Sequence, residues 1–515
     1  MSRLRTTLER ADPAYIGLFF VIVALGIYVF SDPARTGWYN HFVWQADAFI
    51  HGRIGIAYPV STGPYVNNYF QDIMPLPSAP GEPSYGLLPF PPLPAVLLMP
   101  FVAVFGMATD AQLFGAVLGA INVGLAWRLT TRLTESRAAA FLATLFFAFG
   151  TVHWYAAIIS TTWFLAHVVA VTFLMLGVTL ALDAERREQL RRVMRLGPAG
   201  GSDHGLRNPL AETFEEKSLF VSWGRRLFGQ IDLMQFMAGF VFGLAALSRL
   251  TIIFGAPFFL FVGGGGSYFK RALSAGIGAA IPVAMIGLYN YLSTGHLFNP
   301  VYEFLFQQQF HGLGYAPSEE FYGQREWGPE NPLYIPLNAV IMFLWPPDIA
   351  PTYPPFDQCA NVARTVLGAC PLAVPSKFGM SIFLTSPAFL LIPFVAALAW
   401  RQRVVMGALL AIVAIGLVNL GHFSQGWVQF GYRFSLDFAP FALVLVTIGI
   451  AWLARSRRGF AWVAVPLVVL SILVNAWGVY WGVKLGSNVT NTSTSLSARA
   501  VPLAREPNNS SLATR

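Results

Sequence analysis

The chain has 515 residues, of which 55% are hydrophobic and only 11% are charged. Soluble globular proteins carry about 25% charged residues, so this composition excludes that class. Several apolar runs reach the roughly 20 residues that cross the hydrocarbon core of a bilayer. The sequence therefore predicts an all-α, polytopic integral membrane protein. Its net charge of +8 does not indicate nucleic-acid binding, because Lys and Arg collect in the cytoplasmic loops of membrane proteins.

The apolar runs predict about eleven transmembrane helices joined by loops of unequal length. Two further apolar stretches, 91–106 and 334–346, are short and lie beside prolines, which favours interfacial or re-entrant helices. The transmembrane helices are predicted, in chain order, at residues 14–30, 111–130, 138–157, 161–183, 233–248, 250–264, 272–292, 380–399, 404–421, 434–454 and 460–482.

The distribution of basic residues predicts the orientation. Most Lys and Arg residues fall in the amino-terminal tail and in alternate loops, which indicates a cytoplasmic amino terminus in the plasma membrane. We interpret the first span as a membrane helix and not a cleaved signal peptide, because no small-residue cleavage site follows it. This topology places loops 31–109 and 293–379 outside, loop 184–232 inside, and a flexible polar tail, 484–515, outside the cell.

The chain has two cysteines, Cys359 and Cys370, and both lie in loop 293–379. A disulfide is allowed on the outer side of the membrane, and two free thiols fit the sequence equally well. This pair does not indicate a zinc site.

The outer loop 31–109 combines ionisable, aromatic and proline residues more densely than any other predicted outer loop. Its segment 38–49 has the pattern of an amphipathic helix lying at the membrane surface. Asp47 would then sit at the boundary of lipid and water, where partial desolvation suits a general base. The alternative is a solvated loop carboxylate. His41 and Arg53 lie close to Asp47 in the sequence.

Two further carboxylates, Asp72 and Glu82, follow in the same loop. Either of them is a candidate to orient an acceptor or to hold a metal beside Asp47. No cofactor is required by the sequence, and a divalent cation stays open.

Arg433 lies in the segment GYRFSLDFAPF, at the outer end of a predicted span. Two interpretations stay open for this cation: an i,i+4 pair with Asp437, or a bidentate contact to a lipid phosphate. A carboxylate one turn into an apolar span is costly unless it is paired, and Arg433 is the obvious partner for Asp437 in the sequence. Arg249, at a tight turn, is either a surface anchor or a second phosphate-binding cation.

The other motifs exclude several enzyme classes. The histidines form no HExxH and no ligand-spaced pair, and there is no serine nucleophile elbow. The glycine run 263–266 lacks the Lys-Ser/Thr ending of a phosphate loop. His153, at the outer end of a predicted span, stays a supporting candidate.

In the order of its motifs, the chain resembles the polytopic glycosyltransferases of the GT-C type, which use polyprenyl-phosphate sugars. One span is followed by a long outer loop with an Asp, and then by a PPL-type motif at Pro91-Pro92-Leu93. A late outer motif runs from Gln429 through Tyr432 to Asp437, and the segment WQADAFIHGR resembles a stretch of the family's mannosyltransferases.

The resemblance implies a catalytic carboxylate in the first outer loop, which falls on Asp47. Many members carry a pair of acids just after the first span, where this chain has Tyr39-Asn40-His41. Either Asp47 acts with Asp72, or the arrangement differs from that of the family.

The implied function is an inverting glycosyltransferase with its site on the outer face. Asp47 would take the proton of an acceptor hydroxyl, and Arg433 with Arg249 or Arg53 would stabilise the departing phosphate. The partners implied are a polyprenyl-phosphate-linked sugar donor, a glycan, lipid or protein acceptor, and membrane lipid. The residues expected to support the site are His41, Tyr432, Asp437 and His153.

A lipid or solute transporter, or a flippase, is the alternative function. Transporters place ionisable groups near the centres of their spans and often consist of two related halves. The predicted spans here are almost wholly apolar at their centres, and no internal repeat is visible. A third reading, a non-catalytic membrane scaffold, would not require the acidic first loop.

Overall fold

A computed structural model of the chain describes residues 12–35, 39–58, 60–62, 65–67, 72–77, 84–196, 231–306, 327–349, 371–376, 378–426 and 429–497. The described chain is mostly helical, with a few short strands, and is an all-α polytopic membrane protein. Glu82, Cys359 and Cys370 lie outside the described residues, as does most of loop 184–232.

Helices make up the architecture, and short turns of 3-10 or π-helix interrupt or join them. The helices are α1 (Pro13–Ser31), α2 (His41–Ile50), α3 (Leu93–Phe105), α4 (Ala111–Leu133), α5 (Arg137–Phe149), α6 (His153–Ile159), α7 (Thr162–Leu196), α8 (Leu233–Ala246), α9 (Pro257–Phe261), α10 (Tyr268–Thr294), α11 (Val301–Leu305), α12 (Ile335–Phe343), α13 (Ile382–Thr385), α14 (Leu391–Ala399), α15 (Arg403–Leu420), α16 (Ala439–Leu453), α17 (Arg457–Gly459) and α18 (Val465–Ser497). The short turns are Gly106–Ala108, Leu250–Gly255, Pro332–Tyr334, Pro387–Leu390, Arg433–Asp437 and Phe460–Ala464.

Fewer helices than predicted are long enough to cross a membrane unbroken. Six described helices are long and apolar enough, and a seventh crossing arises if α5 and α6, which are bent by 44°, form one span. The predicted spans at 233–248, 250–264, 380–399 and 434–454 are observed as shorter apolar helices. In 380–399 the break has a local cause: Ser386 precedes a proline, which disfavours the helical region, and its φ of −137° and ψ of 72° are not helical.

The two stretches predicted as interfacial, 91–106 and 334–346, are observed as α3 and α12, which are both too short to cross a bilayer alone. The helix α18 continues to Ser497, past residue 484 where the flexible tail was predicted to begin. Residues 498–515 lie outside the described residues.

Polar caps determine where several long helices begin. Asp12, Asp110, Ser136, Asp232 and Ser267 each occupy an N-cap, and each side chain accepts a hydrogen bond from a backbone N–H of the first turn. Such a cap stabilises a helix by about 1 kcal/mol. In an apolar environment an uncapped N–H would have no water to replace that bond.

The centre of the bundle is formed by α7 and α16. α16 is buried from Ala439 through Ile450, and α7 packs against α4, α8 and α16. Small residues let the neighbouring α8 and α10 approach closely, since a Cβ added at Gly239 would lie 2.0 Å from the carbonyl oxygen of Ala275. The first turn of α7 contacts loop 31–109 through Thr162 and Trp163.

The described residues of loop 31–109 include α2 and a small antiparallel sheet. The sheet has the order β1-β5-β4, with β1 at Ile56–Tyr58, β4 at Met74–Pro75 and β5 at Ser84–Leu87. A two-stranded hairpin, β2 (Val60–Thr62) with β3 (Tyr65–Asn67), lies between them in sequence, and β6 (Asp348–Ile349) pairs with β7 (Ala373–Val374) in the second loop. Gly86 allows Ile73 to pack on β5, because a Cβ there would lie 2.3 Å from the Cγ2 atom of Ile73.

The amphipathic helix predicted at 38–49 is observed as α2. Its surroundings differ from the prediction. Most of its side chains, from His41 to Ala46 and also Ala48, are buried, and α2 packs against α3. The helix is therefore an inner part of the folded loop, and its partly exposed residues include Asp47.

Candidate active site

The first turn of α7 organises the candidate site. Its Thr162 hydroxyl donates to the carbonyl oxygen of Tyr39 and accepts from the backbone N–H of His41 at 3.1 Å. The same oxygen lies 2.7 Å from Nδ1 of His41. Because the hydroxyl's one hydrogen goes to Tyr39, Nδ1 of His41 must carry the hydrogen of that contact. One side chain thus fastens the start of α2 to the start of α7.

Asp72, in loop 31–109, is a buried carboxylate that binds Trp163, the residue of α7 that follows Thr162. It is 6% exposed, and its Oδ2 accepts a hydrogen bond from Nε1 of Trp163 at 2.8 Å. Burial raises the pKa of Asp72 to about 6, although the bond from Trp163 and the charge of Arg433 both act to lower it. A carboxylate with such a pKa is ionised at neutral pH and still basic enough to take a proton.

Left-handed backbone conformations are concentrated around this turn. Of the four non-glycine residues with positive φ in the described chain, Tyr39 (56°), Asp72 (55°) and Ser160 (30°) contact or directly precede the first turn of α7. The fourth is Arg35. Such conformations cost about 1–3 kcal/mol each and cluster at sites where geometry matters for function.

Arg433 is the cation that acts on Asp72. Its guanidinium lies over the rings of Phe164, at 5.5 Å, and Phe434, at 5.2 Å. Its Nε is buried and has no hydrogen-bond partner among the described residues. Burial and the charge of Arg249 lower the pKa of Arg433 to about 10, so that the group stays charged at neutral pH.

The predicted pairing of Arg433 with Asp437 is wrong. Asp437 is fully buried and binds Arg249 instead, with Nε to Oδ1 at 3.1 Å and Nη2 to Oδ2 at 2.9 Å. The residues are in a 3-10 turn, Arg433–Asp437, and not in the α-helix that an i,i+4 contact needs. Arg249 is therefore also not a surface anchor. The carboxylate of Asp437 accepts further bonds from Thr251, His167 and Asn419.

The charged groups act on one tyrosine, Tyr302, that belongs to no sequence motif. Tyr302, in α11, lies in the electrostatic field of Asp72, Arg249, Arg433 and Glu330. Burial raises its pKa, so the phenol keeps its proton. Its ring contacts those of Phe90, at 6.4 Å between centroids, and His422, at 6.2 Å.

His167 and Trp163 were also missed by the sequence analysis. Each lies in an apolar span and belongs to no motif, so only the folded chain reveals its polar partner. The bond from Nδ1 of His167 to Asp437 is 2.9 Å long, and Nε2 of the same ring has no partner among the described residues.

Asp47 has a different environment from Asp72. It pairs with Arg53 and with His51, each at 3.5 Å, and its side chain is 27% exposed. The guanidinium of Arg53 lies 5.6 Å from the centroid of the Tyr85 ring. The roles predicted for Asp47 and Arg53 stay predictions, but the carboxylate on which Arg433 acts is Asp72.

His153 and Tyr432 are buried in other hydrogen-bond networks. Nδ1 of His153 lies 3.3 Å from the hydroxyl of Tyr28, and its Nε2 lies 3.3 Å from Nδ2 of Asn122, at the bend between α5 and α6. The hydroxyl of Tyr432 donates to Oε1 of Gln425. These contacts give both residues a structural role in the bundle.

The described residues contain no group of three or more His, Cys, Asp and Glu side chains placed to hold a metal ion.

Comparisons with known proteins give a distant likeness. No protein-family model matches the chain. No curated protein matches it. Among solved structures the chain is similar to the Archaeoglobus fulgidus oligosaccharyltransferase in its apo form, with a TM-score of 0.45 and 14% identity over 90% of this chain and 56% of that one.

Two further structures of the same oligosaccharyltransferase also match. The one tethered to an acceptor peptide containing the NVT sequon gives a TM-score of 0.40 at 15% identity, over 90% of this chain and 55% of that one. The complex with zinc and sulfate gives 0.41 at 14% identity, over 90% and 53%. The chain thus spans about half the length of the protein it matches.

Proposed function

We propose that the protein is an inverting glycosyltransferase that moves a sugar from a polyprenyl-phosphate donor to an acceptor hydroxyl on the extracytoplasmic side. One observation carries the proposal. A buried carboxylate with a raised pKa, Asp72, lies in the field of Arg433, whose buried Nε has no acceptor among the residues that the structure describes. A general base and a cation that can bind phosphate are the pair that transfer from a phosphate ester requires.

In the proposed reaction Asp72, and not Asp47, is the base. The acceptor oxygen forms a bond to C1 of the sugar while its proton moves to the Asp72 carboxylate. The bond between C1 and the phosphate oxygen breaks, and its electron pair leaves with the polyprenyl phosphate. Attack on the face opposite the leaving group inverts C1. The proton on Asp72 then passes to solvent, which restores the base.

Arg433 binds the phosphate of the donor in this scheme. Its planar guanidinium suits two phosphate oxygens, and the rings of Phe164 and Phe434 hold it in place. The charge of Arg249 is already neutralised by Asp437. We therefore assign Arg249 a structural role near Arg433 and not a contact with the phosphate. In the same scheme Tyr302, which keeps its proton, donates a hydrogen bond to the phosphate.

The proposal also includes the location and orientation of the protein in the cell envelope. The amino terminus is cytoplasmic, the protein resides in the plasma membrane, and the loops that carry Asp72 and Arg433 face outward, in agreement with the distribution of Lys and Arg. The polyprenyl chain lies between spans near α3, whose Val104 and Phe105 are exposed apolar side chains.

The test is transfer by the purified protein in lipid nanodiscs. Polyprenyl-phosphate mannose, glucose and arabinose are each supplied with octyl mannoside or a serine-containing peptide, and free polyprenyl phosphate and glycosylated product are measured. Asp72→Asn should abolish transfer, keep donor binding and not lower thermal stability. Asp47→Asn, the matched control, should retain transfer.

The opposite pattern, an active Asp72→Asn and an inactive Asp47→Asn, would return the base role to Asp47. If no donor is consumed, the glycosyltransferase proposal fails. Movement of the intact donor across sealed vesicles without product would then identify the alternative, a flippase.

A further inference from the structure

Aromatic rings are gathered beside the proposed base. The rings of Tyr39 and His41 are parallel, with 1° between their planes and 6.2 Å between centroids. The Trp163 ring lies 5.2 Å from that of Tyr39 and 6.0 Å from that of His41. We call Tyr39, His41 and Trp163 the aromatic platform.

The three residues of the aromatic platform differ in solvent exposure. His41 is completely buried, whereas Tyr39 and Trp163 are half-buried, so part of each of these two residues is exposed. The Trp44 ring packs on the His41 ring, with 4.8 Å between centroids, and Trp44 is only 3% exposed. The half-buried rings of Tyr39 and Trp163 therefore pack against the buried ring of His41, which itself packs against the ring of Trp44.

The platform and the base are one unit. The indole of Trp163 donates its N–H to Asp72, so a ring face and a carboxylate belong to the same hydrogen-bonded pair. Both Tyr39 and Asp72 adopt left-handed φ angles, and Thr162 binds the carbonyl oxygen of Tyr39. The backbone at these positions holds the rings at a set distance from the carboxylate before any ligand arrives.

We propose that the aromatic platform binds a pyranose ring of the acceptor, so that the acceptor is a sugar and not a peptide or a simple alcohol. The inference rests on the proposed function, because it takes Asp72 as the base that faces the acceptor. A pyranose presents C–H bonds with partial positive charge on one face, which suit the negative face of an aromatic ring. Its hydroxyls point outward, where one of them reaches the carboxylate.

A peptide or an alkyl alcohol does not use these features together. A serine side chain has one hydroxyl but no flat C–H face, and an alkyl alcohol has no second hydroxyl to orient it. A small number of polar groups placed beside an apolar surface is what fixes the orientation of a ligand. The combination in this site fits a ring that is apolar on one face and polar at its edge.

The test is a binding measurement that needs neither donor nor turnover. Methyl α-mannopyranoside and methyl β-glucopyranoside are added to the protein in nanodiscs, and saturation-transfer NMR reports which ligand protons contact it. At least one glycoside should receive saturation on the C–H protons of one face. Tyr39→Leu should weaken its binding about tenfold, and Tyr39→Phe, which keeps the ring, should bind as the wild type does.

A second measurement uses the wild-type chain alone. A mannoside that carries a photoreactive diazirine should label Tyr39 or Trp163. Absence of saturation transfer from both glycosides, unchanged binding in Tyr39→Leu, or labelling confined to other residues would overturn the inference. The Asp72→Asn variant separates this inference from the proposed function. It should still bind the sugar, which tests the platform, and it should lose transfer, which tests the proposed base.

Discussion

Arg249 and Asp437 form a two-point ion pair inside the protein, although 188 residues separate them in the sequence. The pair joins the segment after α8 to the 3-10 turn that carries Arg433. Because Asp437 is fully buried, its charge is tolerated only through these bonds. Asp437 is therefore the counter-ion of Arg249 and not of Arg433.

Asp437→Asn should destabilise the protein strongly, because it leaves the Arg249 charge buried without its counter-ion. The loss expected for breaking a buried pair is about 3–5 kcal/mol. Thermal unfolding in detergent is the measurement. Asp47→Asn, which breaks a partly exposed pair, is the control, and its effect should stay within about 1 kcal/mol. Equal melting temperatures for the two variants would contradict this account.

The rate of transfer should depend on the ionisation of Asp72. Since its pKa lies at about 6 and the base acts as a carboxylate, kcat/KM should rise tenfold per pH unit below pH 6 and level off above it. Trp163→Phe removes the hydrogen bond that stabilises the carboxylate, so the rise should move to higher pH.

Trp44→Phe is the control for that shift. The indole N–H of Trp44 is buried and has no hydrogen-bond partner among the described residues, so its loss should leave the pH profile where it is. A Trp163→Phe profile that coincides with the wild type would show that Asp72 does not set the rate.

Asp72→Asn should stabilise the fold at neutral pH while it abolishes transfer. An acid whose pKa is raised in the folded state disfavours folding when it is ionised, and the pKa of Asp72 rises from 3.8 to about 6. The gain should be absent below pH 3.8, where the wild type is protonated folded and unfolded, and complete above pH 6. A difference of about 1–3 kcal/mol is expected there.

Melting temperatures of the variant and the wild type at pH 5 and pH 8 measure this gain. The difference should grow with pH, as expected where a site gives up stability for activity. A variant that is less stable than the wild type at pH 8 would show that Asp72 is a structural residue and not a base.

Arg433→Gln should lower kcat/KM by about 10²–10³-fold, the usual effect of removing a group that stabilises developing charge. Arg433→Lys should restore only part of this, because an ammonium lacks the planar fork that matches two phosphate oxygens. Transfer rates at varied donor concentration are the measurement. Arg53→Gln, which affects the partly exposed pair with Asp47, is the control and should retain near-normal activity.

Composition and periodicity were sufficient for the class of fold. They predicted the helical membrane protein and the approximate position of most helices, because apolar runs must satisfy their own backbone groups in lipid. They overestimated the number of uninterrupted spans, since an apolar run continues across a bend. At Gly150–Val152 the sequence stays apolar or neutral, yet α5 and α6 meet at 44°.

The site was predicted only in part. Asp72 and Arg433 were selected because of their residue type and loop position, and the structure brings them together electrostatically. The preference for Asp47 came from its helical pattern, which could not show that Arg53 and His51 pair with it. The partner of Asp437 could not be predicted, because a contact between residues 188 positions apart leaves no local pattern in the sequence.

The helix α7 contains 35 residues, which at 1.5 Å per residue makes a rod of about 50 Å, against a hydrocarbon thickness of about 30 Å. Its first turn contacts loop 31–109 through Thr162, and 21 residues further along the helix, about 30 Å away, Asp183 pairs with Arg128 and Arg132. The helix is therefore about 20 Å longer than the hydrocarbon layer is thick. A tilt of α7 would move the contacts of Thr162 and the ion pairs of Asp183 together, because both belong to one unbroken helix.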